Sequence, residues 1–325
     1  MSATAVFEVG AALLGACVGS FLNVVIWRLP QDDPRQRSLG GRSRCPHCGT
    51  QIRWHDNLPV LGWLLLRGRA RCCGKGIAVR YPLVEALTAS LFLLLAIWPP
   101  FGPVLLATDH GVAFDATAAA AFGLHALFLS LLIACTFIDF DHQLLPDVLT
   151  KPGMAIGLLG GFWPGLAGVA STNDAAPLAL RTLLASALGL CVGGGVTWLI
   201  RAAGSRIFRR EAMGLGDVKF LAMIGAFLGW QSALLTLFLG CVVGALVGGL
   251  LALRAGLGMR IPFGPYLAVG AVVSLFVARP LLDLLFVQWP EWQRSSPSAQ
   301  WFLLVLALLS LSALFLLVRR GRRAG

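Results

Sequence analysis

The hydrophobic and polar positions of this chain fall into long blocks, with neither a strand-like alternation nor a heptad repeat. Apolar windows of about 20 residues, enough to cross a hydrocarbon core at about 1.5 Å per residue, recur from end to end. Nine are read as spans, at 4–26, 82–99, 117–138, 152–170, 179–200, 217–230, 232–253, 264–283 and 300–318. Lipid offers no partners for backbone N–H and C=O groups, so each span is predicted to be a helix. The windows at 152–170 and 217–230 are short or rich in glycine and proline. No tandem repeat of a short unit is visible. The expected fold class is therefore an all-α polytopic membrane protein. Its regions are a first transmembrane helix at 1–26, a soluble cysteine-containing segment at 27–81, a membrane domain at 82–288, and a last helix with a basic tail at 289–325.

Composition agrees with this pattern. The 325 residues are 57% hydrophobic and 13% charged, and the mean hydropathy is +0.79, well outside the range of water-soluble domains. The net charge of +11 is unevenly placed. Eleven of the 26 lysines and arginines lie in 27–81, and further clusters fall at 201–210, at Arg254 and Arg260, and at 319–323. The stretches 99–116 and 171–178 have none. With nine spans, the positive-inside bias puts the N-terminus in the periplasm and the segment 27–81 and the C-terminus in the cytoplasm. The same bias, with attraction to anionic headgroups, accounts for the basic excess, so the lipid bilayer and not nucleic acid is the partner expected from charge. No basic run precedes the first span, which reads as a retained helix and not a cleaved signal.

At about 55 residues, the segment 27–81 is too short for a generous core, and a covalent or metal staple is expected. Cys45-Pro-His-Cys48 and the later Cys72-Cys73 have a zinc-ribbon type of spacing, and a reducing cytoplasm argues against disulfides. Adjacent cysteines tend to point apart, so Cys73 is the expected ligand over Cys72, with His47 or His55 as a substitute. Free or redox-active thiols are the alternative. Cys17, Cys135, Cys191 and Cys241 stand alone in apolar spans and read as packed core residues.

Ionisable groups at membrane depth are costly and need a reason. Two places stand out: Ile138-Asp139-Phe140-Asp141-His142-Gln143-Leu144-Leu145-Pro146-Asp147 at the end of the third span, and Gly214-Leu215-Gly216-Asp217-Val218-Lys219 at the start of the sixth. Both fall at cytoplasmic span ends, so Asp139 and Asp217 can face one another. Two carboxylates a few ångströms apart share one proton, and such a pair suits peptide hydrolysis. Gly214 and Gly216 would let a substrate backbone come close. The alternative is structural, with Asp139, Asp141 and Asp147 as anchors or turn residues and Asp217 as a helix cap.

The residues in order resemble the type IV prepilin peptidases, GxGD-type aspartic proteases of the bacterial inner membrane. The resemblance runs through Gly19-Ser20-Phe21-Leu22-Asn23, Arg28-Leu29-Pro30, Cys45-Pro-His-Cys48, Asn57-Leu58-Pro59, Leu66-Arg67-Gly68, Arg80-Tyr81-Pro82-Leu83-Val84-Glu85, the two acidic motifs, and Ile261-Pro262-Phe263-Gly264-Pro265-Tyr266. It implies that Asp139 and Asp217 are the catalytic pair, and that the substrates are type IV prepilins and type II secretion pseudopilins cut at the cytoplasmic interface. It also implies N-methylation of the new N-terminus with S-adenosylmethionine, for which 27–81 is the segment to inspect. No glycine-rich nucleotide fingerprint marks a donor pocket. Glu85 reads as an interfacial anchor or as a group positioning the substrate, Asp141 and Asp147 as supporting or turn residues, and Lys219 as a snorkelling cation. Two departures stand out: Ala70 occupies the place of the family's third cysteine, and a ninth span follows the usual eight. A peptidase without methylation is the second reading. The third is a transporter using membrane carboxylates, for which the expected symmetry between halves is not visible.

Overall fold

A computed structural model describes residues 2–31, 33, 37–41, 43–108, 111–167, 175–209, 211, 213–255, 262–295, 301 and 305. It is mostly helical. In chain order come α1 (Ala3–Arg28), a short 3-10 turn (Trp54–Asn57), α2 (Leu61–Leu65), α3 (Arg80–Ile97), the antiparallel strands β1 (Leu105–Thr108) and β2 (Gly111–Phe114), α4 (Ala116–His142) and α5 (Asp147–Ala167). After these follow α6 (Ala175–Phe208), α7 (Leu215–Ala255), α8 (Gly264–Asp283), a π-helical turn (Leu284–Gln288) and α9 (Trp289–Ser295). Residues 1–276 form one compact unit and 277–325 a second.

Among the described residues five helices are long and apolar enough to cross a membrane: α1, α3, α4, Leu180–Ile207 of α6, and Leu215–Leu251 of α7. A bent pair, Gly264–Ala278 with Pro280–Trp292, would make a sixth. The protein is thus a multi-pass membrane protein, but nine separate spans are not what the described residues contain. The expected spans 217–230 and 232–253 both fall within α7, which consists of two helices meeting at a kink at Gly229, at φ 82° and ψ 171°. The expected span 152–170 coincides with α5, which is not among the five. The expected span 300–318 lies outside the described residues apart from Trp301 and Val305.

The first unit is organised around α4, the most enclosed of the five long helices. Its Phe128, Leu129, Leu132, Cys135 and Ile138 are fully buried, as are Phe220, Leu221, Met223 and Ile224 in the first half of α7. Phe128 of α4 stacks on Phe227 of α7 with ring centroids 4.7 Å apart. The first turns of α8 add Leu267 and Ala271 to the same core. Packing of this kind fixes where the ends of α4, α7 and α8 sit relative to one another, which positions the carboxylates. Asp115 caps α4 through the N–H groups of Thr117 and Ala118, and its carboxyl is held below its usual range by those bonds and the Thr117 hydroxyl.

Candidate active site

Asp139 lies in the last turn of α4 and is buried. Helix α4 ends three residues later, and Gln143 caps it in the left-handed region at φ 51°, turning the chain towards α5. The 143–147 turn then docks on the first turn of α7. A Cβ on Gly216 would stand 2.9 Å from Leu145 Cβ, so only glycine lets the two backbones meet this closely. Three residues further along α7, Lys219 Nζ lies 2.6 Å from Asp147 Oδ1. Asp217, half-buried, lies between these two contacts, on the turn of α7 that docks against the chain leaving Asp139. Asp139 has one more tie: its Oδ2 accepts the Gly264 N–H at 3.0 Å, from the start of α8.

The other acidic residues named from sequence have partners of their own. Asp141 pairs with Arg80, whose guanidinium also lies over the Phe137 ring, 5.3 Å from its centroid. Asp147 accepts Lys151 Nζ at 2.8 Å as well as Lys219. Lys219, read from sequence as a snorkelling cation, is one side of an ion pair. Sequence reasoning quoted Gly264 and Arg80 in motifs without giving them a role. Their signals were a glycine between two prolines and a lone arginine opening a span, and neither names a partner.

Glu85, on α3, is 8% exposed and far from an interfacial anchor in character. Its Oε2 accepts the Val60 N–H at 2.7 Å, and Ser20 is its second hydrogen-bond partner. Among the described residues no cation pairs with it. Val60 itself sits at φ 59°, an uncommon conformation for a β-branched residue, and the carboxylate holds it there. Glu85 borders a cavity of about 1150 Å³ between α1, α3 and the cysteine segment, with Asn23, Trp27, Trp63 and Tyr81 also on its wall.

The cysteine segment consists of two similar knuckles. In the first, Cys45 N–H donates to Thr50 O at 2.9 Å and Gly49 N–H to Cys45 O at 2.9 Å. In the second, Ala70 N–H donates to Lys75 O at 2.8 Å and Gly74 N–H to Ala70 O at 2.7 Å. Gly49 and Gly74 have φ of 72° and 71°, and bridges Arg44–Gln51 and Arg69–Gly76 flank the two turns. Superposed this way, Ala70 matches Cys45, Cys72 matches His47, and Cys73 matches Cys48.

All four thiols nevertheless converge, with sulfurs within 4.8 Å of one another, an arrangement that could hold a metal ion. Cys45 and Cys73 are 3.8 Å apart and Cys48 and Cys72 3.3 Å. A tetrahedral zinc site has sulfur–sulfur edges of about 3.8 Å, from bonds of about 2.3 Å. The expectation that Cys72 would point away is thus corrected, and neither His47 nor His55 is in the group. Hydrogen bonds to Thr50 lower the Cys48 thiol to about 6, and the bond to Cys48 pushes Cys72 up to about 12. Backbone N–H groups of Cys48 and His47 lower Cys45. Beside the knuckles, Arg71 grips Asp56 through Nε and Nη2 at 2.8–3.1 Å.

Comparison with known proteins matches the bacterial peptidase A24 N-terminal domain over residues 13–98 and the type IV leader peptidase family over 126–249. A prepilin leader peptidase/N-methyltransferase of Myxococcus xanthus is 39% identical over 250 residues, covering 77% of this chain and 64% of that protein. An Aeromonas hydrophila protein of the same name is 38% identical over 291 residues, covering 81% and 88%. An Escherichia coli type 4 prepilin-like proteins leader peptide-processing enzyme is 35% identical over 290 residues, covering 84% and 95%. No solved structure matches. The two matched regions contain, respectively, the cysteine knuckles with Glu85 and both carboxylates with Lys219, so the residues assembled above and the sequence relationship coincide: the chain belongs to the type IV leader peptidase family.

Proposed function

We propose that this protein cleaves the basic leader from type IV prepilins and type II secretion pseudopilins at the cytoplasmic face of the inner membrane, and then N-methylates the new N-terminal residue. Asp139 and Asp217 are the catalytic pair. The observation that supports this reading is the docking of the 143–147 turn, which follows Asp139, on the first turn of α7, which carries Asp217. One carboxylate, ionised, takes a proton from the attacking water; the other, protonated, donates to the scissile carbonyl oxygen. The tetrahedral intermediate collapses with the C–N bond breaking, and the proton held by the first acid goes to the departing amine. Because the acids titrate as a unit, the pair and not either residue has the pH profile. Gly264, through its N–H, holds the Asp139 carboxylate in place.

Methylation needs S-adenosylmethionine, which supplies an activated methyl group when bound. The cavity beside Glu85 fits it. At about 1150 Å³ it exceeds the usual about 300–1,000 Å³ of small-ligand pockets, leaving room for a peptide end beside the donor. Trp27, Trp63 and Tyr81 offer faces for a purine, and the buried Glu85 carboxylate lacks a cationic partner among the described residues. The four thiolates would hold a structural zinc joining the knuckles that form one wall. The periplasmic N-terminus and the cytoplasmic position of 27–81 belong to the same proposal, supported by the placement of lysine and arginine.

The test is cleavage of a co-reconstituted prepilin by wild type, Asp139→Asn and Asp217→Asn at equal insertion, with mass spectrometry of the mature N-terminus. Loss of cutting in both variants and a methylated wild-type product are expected. Cutting at the full rate by either variant removes that residue from the pair. An unmodified product limits the protein to peptidase activity.

A further inference from the structure

We propose that Lys219 and Asp147 are positioning residues whose ion pair sets the separation of Asp139 and Asp217; this rests on the assignment of those two acids as the catalytic pair. Lys219 follows Asp217 by two residues, a spacing at which helical side chains diverge. Its ammonium reaches instead across to Asp147 Oδ1 at 2.6 Å, and Asp147 opens α5 only eight residues after Asp139. The pair therefore fastens the segment leaving the first acid to the turn that bears the second. It acts beside the close approach of Gly216 to Leu145, which limits how near the strands of chain come but leaves them free to slide.

Two features separate this role from a merely stabilising one. The side chains of Lys219 and Asp147 are 33% and 42% exposed, and pairs this open to solvent contribute little to folding. Asp147 also has a second cation, Lys151 Nζ at 2.8 Å from its other oxygen, so removal of Lys219 leaves no lone charge behind. What such a removal does alter is alignment, and a misplacement of about 1 Å in a reacting group lowers rates by up to about 10²-fold.

The test uses the full chain in bilayers with a prepilin substrate. Kinetics and thermal unfolding are measured for Lys219→Met, Asp147→Asn, the double variant, Lys219→Arg and, alongside, Asp139→Asn. Each single neutral variant is expected to lower kcat by about tenfold or more with KM changed less than about twofold. The double variant should be no slower than the slower single, because both remove one interaction. Lys219→Arg should recover most of the rate, and the unfolding midpoint should stay in place. Wild-type kcat in either single variant, multiplied losses in the double, or losses that track unfolding overturn the proposal. If Asp139→Asn still cuts, the catalytic pair itself falls; if it is dead while the Lys219 and Asp147 effects multiply, only the positioning role falls.

Discussion

The contact most exposed to a decisive perturbation is the one between α8 and Asp139. Gly264 donates its N–H to Asp139 Oδ2 at 3.0 Å. A methyl group at Gly264 would stand 2.6 Å from that oxygen, 3.2 Å from Cγ and 3.4 Å from Cβ. Ordinary contact begins near about 3.4 Å, so the oxygen must retreat by about 0.8 Å, or the start of α8 must tilt by as much. The bond to the N–H cannot survive the first response unchanged, because donor and obstruction sit on one residue. A shift of that size in a catalytic carboxylate is expected to lower kcat about 10- to 100-fold, equivalent to about 1.4–2.7 kcal/mol in the barrier. Overpacking also costs about 1–3 kcal/mol of stability, so rates must be compared at equal folded fraction. The assay is prepilin cleavage by Gly264→Ala, with Gly123→Ala as control, since a Cβ on Gly123 meets nothing within 4 Å. The control should cut at the wild-type rate. A wild-type kcat in Gly264→Ala would mean that the Asp139 carboxylate does not need this placement, and would refute the reasoning.

Three further outcomes are expected. Cobalt-loaded protein should show four-thiolate charge-transfer absorption, lose one thiolate in Cys72→Ala, and regain it when Ala70→Cys is added, because Ala70 occupies the place of Cys45 in the second knuckle; unchanged spectra in Cys72→Ala would exclude Cys72 as a ligand. Arg71 holds the Asp56 carboxyl below its ordinary range. That contribution to the knuckle region is complete above the unfolded value of about 3.9 and is lost as pH falls through the lower folded value. Cleavage of 54–74 by an acid-active protease should accelerate in that acidic window, and Asp56→Asn should remove the pH dependence; an identical acid profile in the variant would contradict it. Glu85→Gln should bind S-adenosylmethionine about tenfold more weakly while its neutral thioether product is affected less, as expected for loss of one buried charge. Equal weakening of both compounds would show that the carboxylate shapes the wall and not its charge.

The apolar blocks made the helices legible because a bilayer imposes length and polarity together, and α1, α3 and α4 lie within a few residues of the windows read for them. The count is less direct: five or six stretches among the described residues are long and apolar enough to span. Gly229, at φ 82°, marks a kink between two helices within α7, at the boundary read between two spans. Asp139 and Asp217 were legible for a related reason: a carboxylate at a span end is conspicuous against its surroundings. Their fasteners were not, since Gly264 meets Asp139 across 125 residues and Arg80 meets Asp141 across 61. Helical spacing established that Lys219 could not share a direction with Asp217, yet it said nothing of where the ammonium would go. That depends on the docking of another helix pair.

Cys72 illustrates the opposite limit. The argument that neighbouring side chains diverge holds for an extended strand, where successive Cβ atoms point to opposite faces. Residues 71–73 instead form a tight turn closed by the Gly74 N–H on Ala70 O. In a turn the rotation between successive residues is smaller, so both sulfurs can face inward, one towards Cys48 and one towards Cys45. The loss of a cysteine at position 70 is thereby offset two residues along, at the position that His47 holds in the other knuckle. Spacing rules count residues between ligands, whereas a metal responds only to where the sulfur atoms are. A C-x-x-C pair and a C-C pair can therefore complete one tetrahedron when a turn, and not a strand, carries the second.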